Sequence, residues 1–511
     1  VSTVTDGTTP LGPLDELRAL LSSPAGNEAY APFPSQPKMF DCGQLVLKHI
    51  NQLQTKGFFA VLEVKNISRS YVYGGAPANL MVWAEILKIT RECFPGNFYM
   101  GRITPGLAIH GWGDAVQSQG MAGLVELEAR LANLSFVSPQ SGHRIDIHIS
   151  VNVGFLVYPD DCGFLDDFTN VTRFAALASI GFDAYQYRSR MQRFTSALID
   201  ESDRNSYIAE RVEDAYATDS MAMVYQPRVD IRTGRVAGAE ALIRWDELTM
   251  GPIAPNEFIP VLESGRQIVA FTMFTLDKVT KYAAANFAHR TDGFRLSVNI
   301  SRNFLNWVGD GISPLIADLL ERNGCPGRCL EFEITESAYF HKDVADTIKL
   351  QLERVKQLGV TVSLDDFGSG YGALRLLAEG VATTIKIDTT TTRSVLSQNS
   401  PLHGFLPLLI RTIATSNIQL VVEGVEEEWQ HRALLDQGIT LAQGYLYSRP
   451  LAAADLLDLI ARAEDEPLGR PPSHRADDGQ QPQSQVGPTD APAEGTRSSL
   501  HHVPPRRHSQ R

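Results

Sequence analysis

The sequence is short of cysteine, of long apolar runs and of positive charge, and each shortage removes a class of protein. It has five cysteines in 511 residues. Cys325 and Cys329 flank a Pro-Gly-Arg, but no second Cys or His pair follows at zinc-site spacing. With Cys42, Cys93 and Cys162 they read as reduced structural thiols. No stretch nears the ~18 apolar residues that a membrane-spanning helix needs. The opening VSTVTDGTTPLGPLDELRAL lacks the basic and then apolar blocks of a secretory leader. The expectation is a cytoplasmic chain with no membrane span. The first residue is Val, which leaves room for an upstream sensory module. A formal charge of −13 argues against binding to polymeric nucleic acid, which takes clustered Lys and Arg. It leaves open a small anionic ligand received by cations that carboxylates hold.

What is present suggests five segments. Residues 1–39, rich in Pro, Ser, Gly and Thr, read as a flexible lead-in. Residues 40–190 mix strands (Gly57–Val64 and Ile145–Val157) with helical periodicity in Leu80–Cys93 and Gly120–Leu134. An amphipathic stretch near Arg188–Ala217, assigned as residues 191–218, predicts a linker helix. Over 219–463, short apolar strands alternate with helices in about eight units, which predicts an α/β fold of the TIM-like (β/α)8 kind. The short turn at Arg232–Arg235 predicts one antiparallel strand. Residues 464–511, loaded with Pro, Gln, Ser, Asp and Gly, predict a disordered tail.

In such barrels the chemistry gathers at the C-terminal ends of the strands, and the polar residues here obey that rule. Strand alternation places Glu240, Leu242 and Arg244 on one face, and Glu331 and Glu333 together toward the barrel interior. Asn299, the pair Asp365 and Asp366, Lys386, Glu423 and Gln443 stand at or near other strand ends. Converging buried carboxylates repel one another unless cations neutralise them, and hard oxygen donors select Mg²⁺ or Mn²⁺. Asp365 is placed to bridge two ions, with Asp366 completing one shell. Arg244 suits a phosphate oxygen, and Lys386 suits an attacking water or developing charge. Taken singly, Glu331 or Glu336 reads equally well as half of an ion pair, Lys386 as the counter-charge of Asp388, Asn299 as a helix cap, and DDFGSGYG as a turn. Agreement across six strands favours a site.

The same residues resemble a known family. EALIRW (Glu240–Trp245) is similar to the signature of the EAL-domain cyclic di-GMP phosphodiesterases. YQPRVD (Tyr225–Asp230), SVNIS (Ser297–Ser301), FEITES (Phe332–Ser337), DDFGSGYG (Asp365–Gly372), KID (Lys386–Asp388), EGVE (Glu423–Glu426) and AQGYLYSRP (Ala442–Pro450) extend the match over the barrel. The resemblance implies one metal held by Glu240, Asn299, Glu333 and Asp365, and a second by Asp365, Asp366 and Glu423. It implies Lys386 and Gln443 on the hydrolytic water, and Gln226, Leu242 and Arg244 on the dinucleotide. Glu336 would order the loop after Asp366, which couples catalysis to dimerisation through the barrel. Gly372 and Ala373 depart from the usual pair of serines, and Thr389–Thr392 from a more varied stretch, which bears on loop dynamics.

Residues 40–190 resemble, more weakly, the GGDEF diguanylate cyclase domain through FAVLEVKNI, NLMVWAEIL, YMGRITPGLAIHG and SVNVGFLVYPDD. Arg102–Leu107 replaces the acidic hairpin of that family, and Glu63 stands where an Asp ligand is usual. The expectation is a catalytically dead regulatory module. For the whole chain it is hydrolysis of cyclic di-GMP to linear pGpG, with a non-catalytic cyclic di-GMP receptor and a protein scaffold as the alternatives.

Overall fold

The computed structural model describes residues 36–469 apart from 66, 68, 104–105, 138–141, 181–189, 336–341, 368–379, 398, 401, 403 and 414–417. The first part builds a five-stranded sheet in the order β2-β3-β1-β6-β7. Its strands are β1 (Gly57–Val64), β2 (Phe98–Ile103), β3 (Gly106–Trp112), β6 (Val151–Tyr158) and β7 (Arg190–Arg193), while β4 (Leu134–Val137) pairs with β5 (Arg144–Ile147). The unbroken apolar run of β1 has a simple cause. Phe58, Ala60 and Leu62 face one core with Val82, Ile86 and Leu124. Phe59 and Val61 face another with Val46, Ile50 and Val171. A strand covered on both faces needs no polar alternation.

Two expected boundaries move. Ile145–Val157 is two strands with different partners, because the chain leaves β5 and re-enters the main sheet only after Ile149 N–H bonds Leu131 O at 3.1 Å. The expected linker helix starts later, at Ala197, because residues 190–193 form β7, parallel to β6. Arg193 closes that strand with a two-pronged guanidinium contact to Asp161, at 2.8 to 3.0 Å. The helix Ala197–Ala217 then buries Ile208, Val212 and Ala215 against Ile243, Trp245 and Phe258.

From β8 (Met221–Asp230) the chain forms a closed barrel: β9 (Arg235–Glu247), β11 (Arg295–Asn299), β12 (Leu330–Thr335), β13 (Thr361–Phe367), β14 (Thr384–Ile387), β15 (Gln419–Val422) and β16 (Leu441–Gln443). These pair in chain order, and β8 closes the ring between β16 and β9. β8 is antiparallel to both neighbours, and the others run parallel. A short outer strand, β10 (Gly251–Ile253), extends β9. The expected (β/α)8 barrel with one reversed strand is therefore what forms. The outward residues, among them Leu296, Phe332, Leu364, Ile385 and Val422, pack under the surrounding helices. Residues 464–469, expected in the tail, stay on the barrel: the last helix runs Ala453–Asp465, and Leu468 N–H bonds Gly234 O at 2.9 Å. Among the described residues no cysteine is joined in a disulfide, and no helix is long and apolar enough to cross a membrane.

Candidate active site

Inside the barrel the usual filling of branched apolar side chains gives way to charge. β14 places Lys386 at the centre, 1% exposed. Its Nζ lies 2.7 Å from Glu423, 3.0 Å from Glu333, and 3.4 Å from both Glu240 and Asp365. Four strands thus deliver carboxylates onto one ammonium. The reading of Lys386 as the partner of Asp388 fails, because Asp388 instead caps the helix Thr389–Leu396 by accepting from Thr390 and Thr391 N–H at 2.7 and 3.1 Å. Asn299 is not a cap either. Ser301 takes that place for the helix Arg302–Val308, which leaves Asn299 Nδ2 to donate to Glu240 Oε1 at 2.9 Å. Gln443 Nε2 donates to Glu240 Oε2 at 2.7 Å.

Asp365 and Asp366 pose a geometric problem, since neighbours on a strand point to opposite faces. The register of β13 against β14 shifts between Leu364 and Phe367, and Asp366 adopts φ 56°, rare outside glycine. Such a bulge turns the side chain from its alternating direction. Asp366 is exposed, and its carboxylate lies within the electrostatic reach of Asp365, Asp388, Lys386 and Glu240.

Gln226 sits opposite Glu240 in the β8–β9 register and is half-buried. Leu242 is half-buried, and Arg244 is exposed, its Nη1 on Ile243 O at 2.8 Å. Glu331 does not join the cluster. It is 1% exposed and paired with Arg228, the structural alternative foreseen for it. Glu336 lies outside the described residues. Arg228 was missed in the sequence, although its two-residue offset from Gln226 on an inward face was the available signal.

The electrostatics follow from burial around a single cation. Burial opposes charge on Lys386, but Glu240, Glu333, Glu423 and Asp365 outweigh it and hold the ammonium well above its usual range. Burial pushes Glu240 up, yet Lys386, Gln443 and Asn299 overcome it and bring it down to about 2. For Glu333, burial and the neighbouring Glu240 dominate and raise it well above the ordinary carboxylate range. Burial lifts Glu423 to about 7 against the pull of Lys386. Asp366 is exposed as a residue, but partial desolvation of its carboxyl group and the neighbouring Asp365 raise it.

The donor set fits hard divalent cations. It consists of carboxylates with the amide oxygens of Asn299 and Gln443. Buried Glu333 Oε1 and Gln443 Oε1 have no hydrogen-bond partner among the described residues. With all five carboxylates ionised, one ammonium leaves four negative charges, the charge of two divalent ions. Among the described residues, the carboxylates close on the ammonium, and no three His, Cys, Asp or Glu groups form a metal-binding cluster.

Residues 209–450 match the model of the EAL domain. The chain is 29% identical over 329 residues to the bifunctional diguanylate cyclase/cyclic di-GMP phosphodiesterase MucR of Pseudomonas aeruginosa, over 63% of this chain and 46% of the relative. It is 27% identical over 319 residues to the cyclic di-GMP phosphodiesterase NbdA of the same species, over 61% and 39%. It is 32% identical over 276 residues to Rv1354c of Mycobacterium tuberculosis, over 52% and 42%. The chain thus spans under half the length of these relatives. Among solved structures, the PaMucR phosphodiesterase in complex with c-di-GMP is 29% identical with a TM-score of 0.45, over 49% of this chain and 99% of that one. The EAL domain of Mycobacterium smegmatis DcpA is 30% identical with a TM-score of 0.40, over 49% and 100%.

Proposed function

From an EAL domain over residues 209–450, with cyclic di-GMP phosphodiesterases among its relatives, we propose that this chain hydrolyses one phosphodiester of cyclic di-GMP to give linear pGpG. The observation that carries the reading is Lys386, buried among Glu240, Glu333, Asp365 and Glu423 at the strand ends. Glu240, Asn299, Glu333 and Asp365 would hold one Mg²⁺ or Mn²⁺, and Asp365, Asp366 and Glu423 a second, to polarise the phosphoryl group and activate water when bound. The chain does the rest. Lys386 presents a fixed positive charge to the developing phosphoryl charge and, with Gln443, orients the attacking water. Arg244, exposed at the end of β9, grips a phosphate oxygen. Gln226 and Leu242 bear on the dinucleotide beside it. Glu336 would order the loop after Asp366 and link it to a homodimer contact of the barrel.

The first domain acts as a regulatory module in this reading. Its hairpin at 102–107 carries no carboxylate, and Glu63, at the place of a cyclase metal ligand, is held by Lys65 at 2.6 Å. Incubation with cyclic di-GMP and Mn²⁺, followed by chromatography of the products, tests the whole proposal. pGpG that disappears in Glu240→Ala supports the enzyme. Tight binding without turnover makes the chain a receptor, and neither result makes it a scaffold.

A further inference from the structure

Beneath the carboxylate cluster lies a second buried ionic group with no part in the reading above. Arg228 on β8 donates through Nη1 to Glu331 Oε1 on β12, with the side chains 7% and 1% exposed. Thr384 Oγ1 on β14 donates to Glu331 Oε2 at 2.8 Å. Arg228 Nη2 also reaches Arg295 O on β11 at 3.5 Å. The guanidinium passes over Gly238 of β9, where a Cβ would stand 2.9 Å from Nη2.

The placement is regular. Each of the three residues lies two positions deeper in the barrel than a site residue of its own strand. Arg228 lies below Gln226, Glu331 below Glu333, and Thr384 below Lys386. Two residues of strand correspond to roughly 6–7 Å. Arg228 is also in register with Gln443 across β16, and Gln226 with Glu240 across β9. One tie thus fixes the relative height of three strands that present the site. Arg228 adds attraction toward Glu333 and Glu240 besides its pair with Glu331.

A buried ion pair is a poor source of stability, because desolvation consumes most of its Coulomb energy. Its worth lies in geometry, since the arginine fork fixes two directions at once. We propose that the Arg228–Glu331–Thr384 tie is a positioning device that sets the affinity of the carboxylate cluster for divalent cations. This rests on the reading that the cluster binds such ions.

The test uses the full chain, stripped with chelator and titrated calorimetrically with Mn²⁺, beside thermal melts without metal. Exchanging the pair for apolar residues, Arg228→Met with Glu331→Leu, should leave the metal-free melt close to that of the wild type. It should raise the Kd for Mn²⁺ about 10- to 100-fold, as is usual when groups supporting metal ligands are lost. Arg228→Lys keeps the charge without the fork and should weaken Mn²⁺ about tenfold. A purely structural pair would move the melts and leave Kd alone. The proposal is overturned if Arg228→Lys, or the double variant where it folds, binds Mn²⁺ within about twofold of the wild type. A wild-type chain that takes up no Mn²⁺ overturns the cation reading itself and this one with it, before any variant is made.

Discussion

Replacing Lys386 by methionine keeps the side chain as far as Cε and removes the charge that four carboxylates share. Nζ stands 2.7 Å from Glu423, 3.0 Å from Glu333, and 3.4 Å from Glu240 and Asp365, all around a side chain 1% exposed. Removing one partner of a buried ion pair costs about 3–5 kcal/mol, because the charge left behind is uncompensated. Not all four carboxylates would stay charged. Glu333 and Glu423 already stand above the ordinary range, chiefly through burial, and take up protons readily. A folded-state pKa above the unfolded one means that the folded form holds the extra proton, so stability falls as pH rises through that window. The metal-free variant should therefore lose about 3–5 kcal/mol at pH 8, where protons are scarce, and less near pH 5.5. Mn²⁺ should restore more stability to the variant than it adds to the wild type. Turnover at saturating Mn²⁺ should fall by about 10²–10³, the usual loss for one preorganised electrostatic contact. Urea denaturation at both pH values, with and without Mn²⁺, reads the first effect, and pGpG release reads the second. A variant as stable as wild type at pH 8, or with kcat within about threefold, refutes Lys386 as the charge centre.

Three further outcomes are expected. Glu423, lifted from 4.5 to about 7, makes the metal-free chain less stable as pH rises through that interval, so Mn²⁺ should raise the melting temperature more at pH 8 than at pH 5.5; equal rises would argue against proton–cation competition. Asp366→Gly should stay within about 1 kcal/mol of wild-type stability, since relief of the left-handed backbone offsets the entropy of glycine, while turnover is lost; a larger loss in urea titrations would mean that the carboxylate itself holds the bulge. His110 is enclosed by Tyr99, Phe168 and Phe59, with neither ring nitrogen hydrogen-bonded among the described residues, and burial lowers it to about 3. Its neutral form is at no disadvantage above pH 6.5, and stability is lost below it by up to about 1.4 kcal/mol per pH unit. His110→Leu should flatten that acid limb in melts at pH 7 and pH 5, and an unchanged limb would contradict the assignment.

The barrel was legible because its strands are short, apolar outside and polar inside, so alternation reported both their limits and their inner faces. Glu240, Glu333 and Lys386 followed from that period of two alone. Asp366 did not, since alternation sends it away from Asp365, and only a local φ of 56° changes its course. The helix expected to start near Arg188 failed for a different reason. Residues 190–193 gain strand character from β6, a partner far away in the sequence, and their own amphipathic pattern does not report it. Glu331 and Glu333 show the same limit inside the site. They have identical side chains on one inward face, and they differ because Arg228 and Thr384 reach the deeper one while Lys386 reaches the other.

That difference separates the two acidic layers chemically. Glu331 has a full-time cation in Arg228 and a hydroxyl donor in Thr384, and the combined pull of these partners, set against burial, lowers it. Burial and the neighbouring Glu240 raise Glu333, which shares Lys386 with three competitors. The deep layer is thus satisfied by the protein alone, whereas the upper layer is satisfied only if protons or further cations arrive. A site built this way should release protons as it takes up metal. Calorimetry of Mn²⁺ binding in two buffers of different ionisation enthalpy measures that release directly. Identical apparent enthalpies in both buffers at pH 7 would show that the upper carboxylates carry no protons to exchange, and would remove the electrostatic reason for placing the cations there.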